Sequence, residues 1–456
     1  MIAMAINASG CKKLIEIDPP INETPSATIY TSDKAALGAL SGMYTYFSQA
    51  GIQTTGLSVN NSLMADDLRY LGAVTSIQDY ANNTYTSVTA SNDQFTSFYG
   101  IIYRANAIIL GLQQYNGTTD RIKTQLTAEA KLMRAYCYFH LVNLFGDVPL
   151  VLQTDVNVTA VQPRETVTNV YSQIIADLTD AKANLLADYS FTSSDRIGVN
   201  RFTAAALLAR VYLFTGNYQA AEQNASEVIA SNLYSIIPSA TMGTALFVRN
   251  SAESIWQLPP PLAATNQYVT EAASFIPASN TTAAVNYQLQ PDFLQIFQSG
   301  DLRRSRWMSD LTISGTVYTI PVKYKYRTQA LAVAANVSEC QVILRLAEQY
   351  LIRAESRARQ GNTSGALSDL NVIRLRSGVP ASTTTTQSAL VDEILLENRR
   401  ELFCEQGLRW YTLKRSGQAD AVLTVLKPTY QPFTKLYPFA QTILNVNSNL
   451  VQNPGY

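Results

Sequence analysis

Two stretches far apart in the chain carry the same helix–turn–helix spacing, and nothing else in the sequence constrains the fold as strongly. In residues 202–230, Ala205, Leu208, Val211 and Tyr212 make one apolar stripe, Gly216-Asn217 interrupts it, and Ala221, Ala225, Val228 and Ile229 make a second. In residues 347–373, Ala347, Leu351, Ala354 and Ala358 precede Gly361-Asn362, and Ala366, Leu370 and Ile373 follow. Apolar residues three and four apart define one face of a helix. Ala209, Gly216, Asn217 and Ala221 share their offsets with Ala354, Gly361, Asn362 and Ala366. Gly-Asn stops one helix and starts the next, and small residues at fixed distances from that turn let the paired helices approach closely.

This is the spacing of tetratricopeptide-like hairpins. The two copies are not in tandem, so other structure is inserted between them. The stretch 235–340 has a different character: Pro259-Pro260-Pro261, a β-favouring run at Thr316–Ile320, and loops rich in Asn, Thr and Ser. It reads as irregular structure with a few short strands. Leu126, Ala130, Met133, Cys137, Leu141 and Leu144 predict another helix, stopped by Gly146 and Pro149. Residues 12–32, containing Pro and Thr, read as an extended tether, and helical patterning begins near Asp33. The expected fold is mostly α. One domain would span 33–456, with its helical scaffold at 33–234 and 341–456 and a loop-rich insert at 235–340.

Lys plus Arg and Asp plus Glu both number 34, so no net field draws the chain to nucleic acid. The only histidine, His140, sits beside an apolar helix stripe and reads as a packed residue. No HExxH, GxSxG, GxGxxG or GxxxxGK[ST] occurs, and no CxxC, so neither a metal nor a cofactor is expected. Cys137 and Cys404 read as small buried thiols. A glycosidase needs only two carboxylates facing each other across a cleft. Asp66-Asp67 is an adjacent acidic pair in a polar loop, and adjacency alone does not provide that geometry. The mixed charges of Glu393–Arg415, interleaved with Leu402, Phe403 and Trp410, predict a helix held by ion pairs rather than an anion site.

Ala8-Ser9-Gly10 before Cys11 resembles a bacterial lipobox, in which small residues admit the signal peptidase and the Cys is acylated. Two acyl chains on Cys11 would hold the protein to a membrane. Residues 1–11 are then a signal remnant, without the basic segment that normally opens one. The alternative is an ordinary N-terminus with an incidental Cys.

Three longer stretches point to one family. Residues Arg134-Ala-Tyr136 on a helix ending in Phe145-Gly146-Asp147-Val148-Pro149 resemble the SusD/RagB pattern. So do Arg345–Glu355 with Leu370-Asn371 and Ile373–Gly378, and Glu397–Arg415 with Trp410 inside it. The ending Gln452-Asn453-Pro454-Gly455-Tyr456 resembles the family's terminal motif, which makes it the expected C-terminus. The resemblance runs in order along nearly the whole mature chain. It implies a lipoprotein acylated at Cys11, on the outer face of the outer membrane, that binds an oligosaccharide or a peptide and delivers it to a TonB-dependent (SusC-like) transporter, without being an enzyme. Lys12-Lys13 follows the Cys where family members often carry acidic residues.

The matching motifs belong to the scaffold and leave the ligand site to the loop-rich regions 52–100 and 235–340. Tyrosine offers a flat apolar face and a hydroxyl, and the chain has 26 of them against 3 Trp, so Tyr-built sugar stacking is the expectation. The expected ligand site is Tyr70, Tyr80, Tyr85, Asn82, Asn83 and Asp67, facing Asn266 and Tyr268 from the insert. A peptide ligand would instead use a groove with backbone-pairing groups. A pure assembly scaffold would have no loop-built pocket.

Overall fold

The computed structural model describes residues 26–89, 93–260 and 268–456. Cys11, the leader to residue 25 and Asn266 lie outside the described residues. The fold is mostly α, as expected. Helices α1 (Asp33–Gln49), α2 (Asp93–Gln114), α3 (Asp120–Phe145), α4 (Val167–Asn184), α5 (Arg201–Phe214) and α6 (Tyr218–Ala230) pack each on the next. Residues 231–345 then intervene before α7 (Leu346–Arg359), α8 (Thr363–Arg376), α9 (Gln387–Leu402) and α10 (Leu408–Arg415). Helix α6 packs directly on α7, so the array is continuous in space where the sequence interrupts it.

The duplicated turn has one geometry in both copies. Gly216 and Gly361 have φ of +75° and +83°, a left-handed backbone that favours glycine. The Asn217 and Asn362 side chains cap the following helices, accepting from Ala220 N at 3.1 Å and Gly365 N at 2.9 Å. Ala209, Ala221, Ala354 and Ala366 are fully buried between the paired helices. Asn362→Ala is expected to cost about 1 kcal/mol, seen as a lower denaturant midpoint at unchanged slope. An unchanged midpoint would show that this cap contributes nothing.

Bidentate Arg–carboxylate pairs pin neighbouring helices. Arg134 on α3 meets Asp177 on α4 at 2.8 and 2.7 Å, and Arg210 on α5 meets Glu348 on α7 at 2.6 and 2.7 Å. Arg353 on α7 meets Asp369 on α8 at 2.9 and 2.6 Å. Helix α3 is buried on nearly all sides from Gln125 onward, more than the single stripe predicted, because α2 and α4 cover it from both flanks. His140 is buried on it, stacked on Phe98 with its Nδ1 3.0 Å from the Tyr411 hydroxyl. Burial holds its pKa well below the usual imidazole range, so it is a neutral packed residue. Cys137, Cys340 and Cys404 are free and buried. By length and composition alone, helix α2 is long and apolar enough to cross a membrane. Here its apolar residues are covered by α1 and α3, which makes it a core helix.

Short strands tie the insert to the scaffold. Strand β1 (Leu68–Tyr70) pairs antiparallel with β3 (Tyr287–Leu289), and β2 (Ser254–Leu258) pairs with β6 (Gln341–Arg345). Strands β4 (Met308–Ile313) and β5 (Thr316–Pro321) form a hairpin through Ser314-Gly315, both at positive φ as a tight two-residue turn requires. The ion pairs expected along Glu393–Arg415 are mostly tertiary. Only Arg400–Glu397 joins helix neighbours there; Glu401 and Glu405 reach instead to Arg303, Lys323, Arg345 and Arg376. The proposed tether also needs correction at its end. Ser26–Ile29 is helical, and Tyr30 is buried against α2 with its hydroxyl donating to Ala107 O at 2.9 Å.

Candidate ligand groove

Residues 52–64 follow α1 and read as a polar loop. They form a nine-residue π-helix, Ile52–Asn60, continuing into the short helix Asn61–Met64. A π-helix spaces its backbone bonds less favourably than an α-helix, is rare beyond a single turn, and recurs at functional sites. The polar residues Gln53, Thr54, Ser58 and Asn60 are buried along it. Three elements surround it: the start of α2, the helix Thr75–Asn82, and the helix Thr270–Phe275 of the insert.

Two clefts flank this segment and share Gly51 as a common wall. The wider, of about 320 Å³, lies towards the start of α2, with Thr55, Asn60, Ser76, Tyr80 and Gln94 in its lining. The narrower, of about 130 Å³, lies towards the insert, with Gln53, Thr54, Pro259, Thr270 and Gln341 in its lining. Thr54 and Thr270 hydroxyls meet at 3.2 Å, joining π-helix to insert. This pair of clefts, where the N-terminal helices meet the insert, is the candidate groove.

Each cleft holds a buried amide atom without a hydrogen-bond partner. Gln53, 2% exposed, meets the Tyr136 hydroxyl at 2.9 Å; that hydroxyl also meets Gln406 Oε1 at 2.7 Å, and one end of the Gln53 amide is left unpaired. Gln94, 3% exposed, leaves Oε1 unpaired. Gly56 makes room for Gln94, because a Cβ there would lie 2.8 Å from Gln94 Cγ. Behind the narrow cleft, Gln341 Nε2 donates to Glu271 at 3.1 Å, and burial pushes the Glu271 carboxyl up to about 8.

The tyrosines expected to form a stacking platform do something else. Tyr80 and Tyr85 are 3% and 2% exposed and pack with Tyr437 and Tyr456 in one cluster. The Tyr85 hydroxyl donates to Thr434 O, and burial raises its pKa well above the usual phenol range. Tyr80 still contributes to the lining of the wide cleft. Tyr70 packs against Tyr287 of the insert (5.3 Å) rather than Tyr268, and its hydroxyl accepts from Val74 N. Asn83 is buried, its Oδ1 accepting from Lys427 at 2.9 Å; Asn82 is exposed. Asp67 is fully buried, paired with Arg399 at 2.7 Å, and Asp66 accepts from Gln290 at 3.0 Å. Both carboxylates thus hold the 60s turn in place. Tyr268 is half-buried beside Val269 and Thr270 of the narrow cleft. The exposed rings among the described residues, Tyr103 and Phe433, line neither cleft. The clefts fall within the two loop-rich regions expected to carry the site, but Gln53 and Gln94 were not among the expected residues, since an isolated Gln carries no sequence signal.

The groove's described lining contains one carboxylate, Asp93, so the facing pair a glycosidase uses is not among those residues. The arrangement defines a class: a tetratricopeptide-like helical array with an amide- and hydroxyl-lined groove at its junction with an inserted region. A family model described as "Starch-binding associating with outer membrane" matches residues 33–213, and the SusD family model matches 295–456. The chain belongs to the SusD/RagB family. It is 27% identical to SusD-like protein P2 of Formosa agariphila, covering all of this chain and 98% of that one, and 24% identical to SusD-like protein P38 of the same organism, covering 98% and 96%. Among solved structures, a laminarin-binding SusD-like protein has a TM-score of 0.80 at 23% identity, covering 94% of this chain and 100% of that one. Surface glycan-binding protein A from Bacteroides uniformis has a TM-score of 0.79 at 20% identity, covering 92% and 99%. Proteins of the family are outer-membrane surface proteins that bind rather than transform their ligands.

Proposed function

We propose that the chain binds an oligosaccharide in the groove around Ile52–Asn60 and delivers it to a TonB-dependent transporter of the outer membrane. The observation that carries this reading is the amide- and hydroxyl-rich lining of the two clefts, Gln53, Thr54 and Gln341 in one and Thr55, Asn60, Ser76 and Gln94 in the other, along a segment held in an uncommon helical form. Sugar hydroxyls donate and accept, so they pair with either end of such side chains. Small apolar residues such as Ile77, Pro259 and Pro260 offer surface to the C–H faces of the rings. The glycan-binding relatives in the family support the choice of ligand class. Acylation at Cys11 would tether the protein at the membrane surface, which mass spectrometry of the membrane-extracted chain tests directly.

Calorimetric titration against oligosaccharide and peptide panels decides the ligand class. A single glycan class is expected to bind. Gln94→Leu is expected to weaken that binding about three- to tenfold, the size of one lost hydrogen bond, with thermal stability held or raised because the orphaned atom is removed. Binding of peptides alone, or glycan binding indifferent to Gln53→Leu and Gln94→Leu, would overturn the reading.

A further inference from the structure

We infer that the groove selects uncharged glycans and turns away those bearing carboxylate or sulfate groups, a selection that rests on the glycan-binding reading above. The clefts offer neutral amides and hydroxyls, Gln53, Thr54 and Gln341 in one and Thr55, Asn60, Ser76 and Gln94 in the other, and these pair with sugar hydroxyls both as donors and as acceptors.

The charge balance of the lining acts in the same direction. No Lys, Arg or His lines either cleft among the described residues. An anion entering would lose water without gaining a counter-charge, which costs far more than burying a hydroxyl. Among the described lining residues the one charged side chain is Asp93, an exposed carboxylate of the wide cleft, and it has the same sign as an anionic sugar. The wall behind the narrow cleft offers no cation either. Gln341 backs onto Glu271, whose raised carboxyl is mostly protonated at pH 7. Lys323 and Arg345 are committed elsewhere, both paired with Glu405.

The test uses the full chain and matched ligands. Neutral hexasaccharides of glucose, mannose and galactose are titrated calorimetrically beside the same compounds after oxidation of their primary hydroxyls to carboxylates, each at low and high salt. The expected result is binding of a neutral compound with affinity independent of salt, and about ten- to hundredfold weaker binding of its oxidised counterpart, because the anion loses water without gaining a counter-charge. Gln94→Lys is expected to narrow that gap by supplying a donor and a charge, and the wild-type comparison stands whether or not the variant folds. Equal or tighter binding of the oxidised compound, or affinity that falls with salt, would overturn the selectivity while leaving the glycan reading intact. Silence towards every glycan, oxidised or not, would overturn both.

Discussion

Replacing Arg345 with methionine is expected to cost the folded chain about 3–5 kcal/mol, the largest single effect among the charged residues. Arg345 is the hub of a buried cluster. Its guanidinium donates to Glu401 at 2.6 Å, to Glu253 at 2.9 Å and to both oxygens of Glu405 at 2.8 and 2.9 Å. Arg376 shares Glu253 and Glu401, Lys323 shares Glu405, and Arg303 joins Glu401 to Asp301 and Glu397. Glu253, Arg303 and Lys323 come from the insert, while Arg345, Arg376, Glu397, Glu401 and Glu405 come from the scaffold after it. The cluster therefore fastens one to the other. Removing the hub strands three buried carboxylates on the remaining cations, and an unpaired buried charge costs more than the pair contributed. Urea titration measures the loss. A change under about 1 kcal/mol would mean that Arg303, Lys323 and Arg376 take over the load.

The same cluster sets an acid limb on stability. Arg376, Arg345 and Arg303 outweigh the burial of Glu401 and hold its carboxyl well below the usual range; Arg345 and Lys323 do the same for Glu405. In the unfolded chain both titrate near 4.3, so there they bind protons first as pH falls. Their contribution is complete above that range and is lost as pH falls through it towards the depressed folded values. The Arg345→Met chain, already missing the attraction, is expected to show a shallower loss of stability over the same acid window.

What could be read from the sequence divides along physical lines. The hairpins around Gly216-Asn217 and Gly361-Asn362 were legible because a helix face and its cap are local patterns, written within a few turns of chain. His140 as a packed ring followed from the same local logic. The Glu393–Arg415 cluster was legible as structural but not in its pairing, because its partners at 253, 303, 345 and 376 are brought in by tertiary folding. Tyr80 and Tyr85 misled for a related reason. A tyrosine among Asn and Thr looks the same from sequence whether it faces solvent or lies under another segment, and the segment that covers these two begins at Thr434. The π-helix left no readable mark beyond Gly51 and Gly56, since its polar residues have low helix propensity and only packing against α2 and the insert selects that form.

Tyr437→Ala is expected to cost about 3–5 kcal/mol and to weaken ligand binding as well, whereas Tyr437→Phe should cost about 1 kcal/mol and leave the groove's shape intact. Tyr437 is fully buried, with its ring 5.5 Å from Tyr80, 5.3 Å from Tyr85 and 5.6 Å from Phe145. Its backbone N–H donates to Leu144 O at 2.7 Å, and its carbonyl accepts from Asn453 of the terminal motif at 2.7 Å. The hydroxyl donates to Asn61 Oδ1 at 3.0 Å, on the residue that follows the π-helix. One ring thus ties the end of the chain to α3, to Tyr80 in the wide cleft's lining, and to the segment that carries the groove. Truncation to alanine empties that space, and Tyr80 loses the neighbour that fixes its position. Phenylalanine keeps the packing and gives up only the bond to Asn61. Urea titration separates the two stabilities, and calorimetry with the bound oligosaccharide separates the two affinities. If phenylalanine weakens binding as much as alanine does, the hydroxyl bond to Asn61 rather than the packed ring is what shapes the groove.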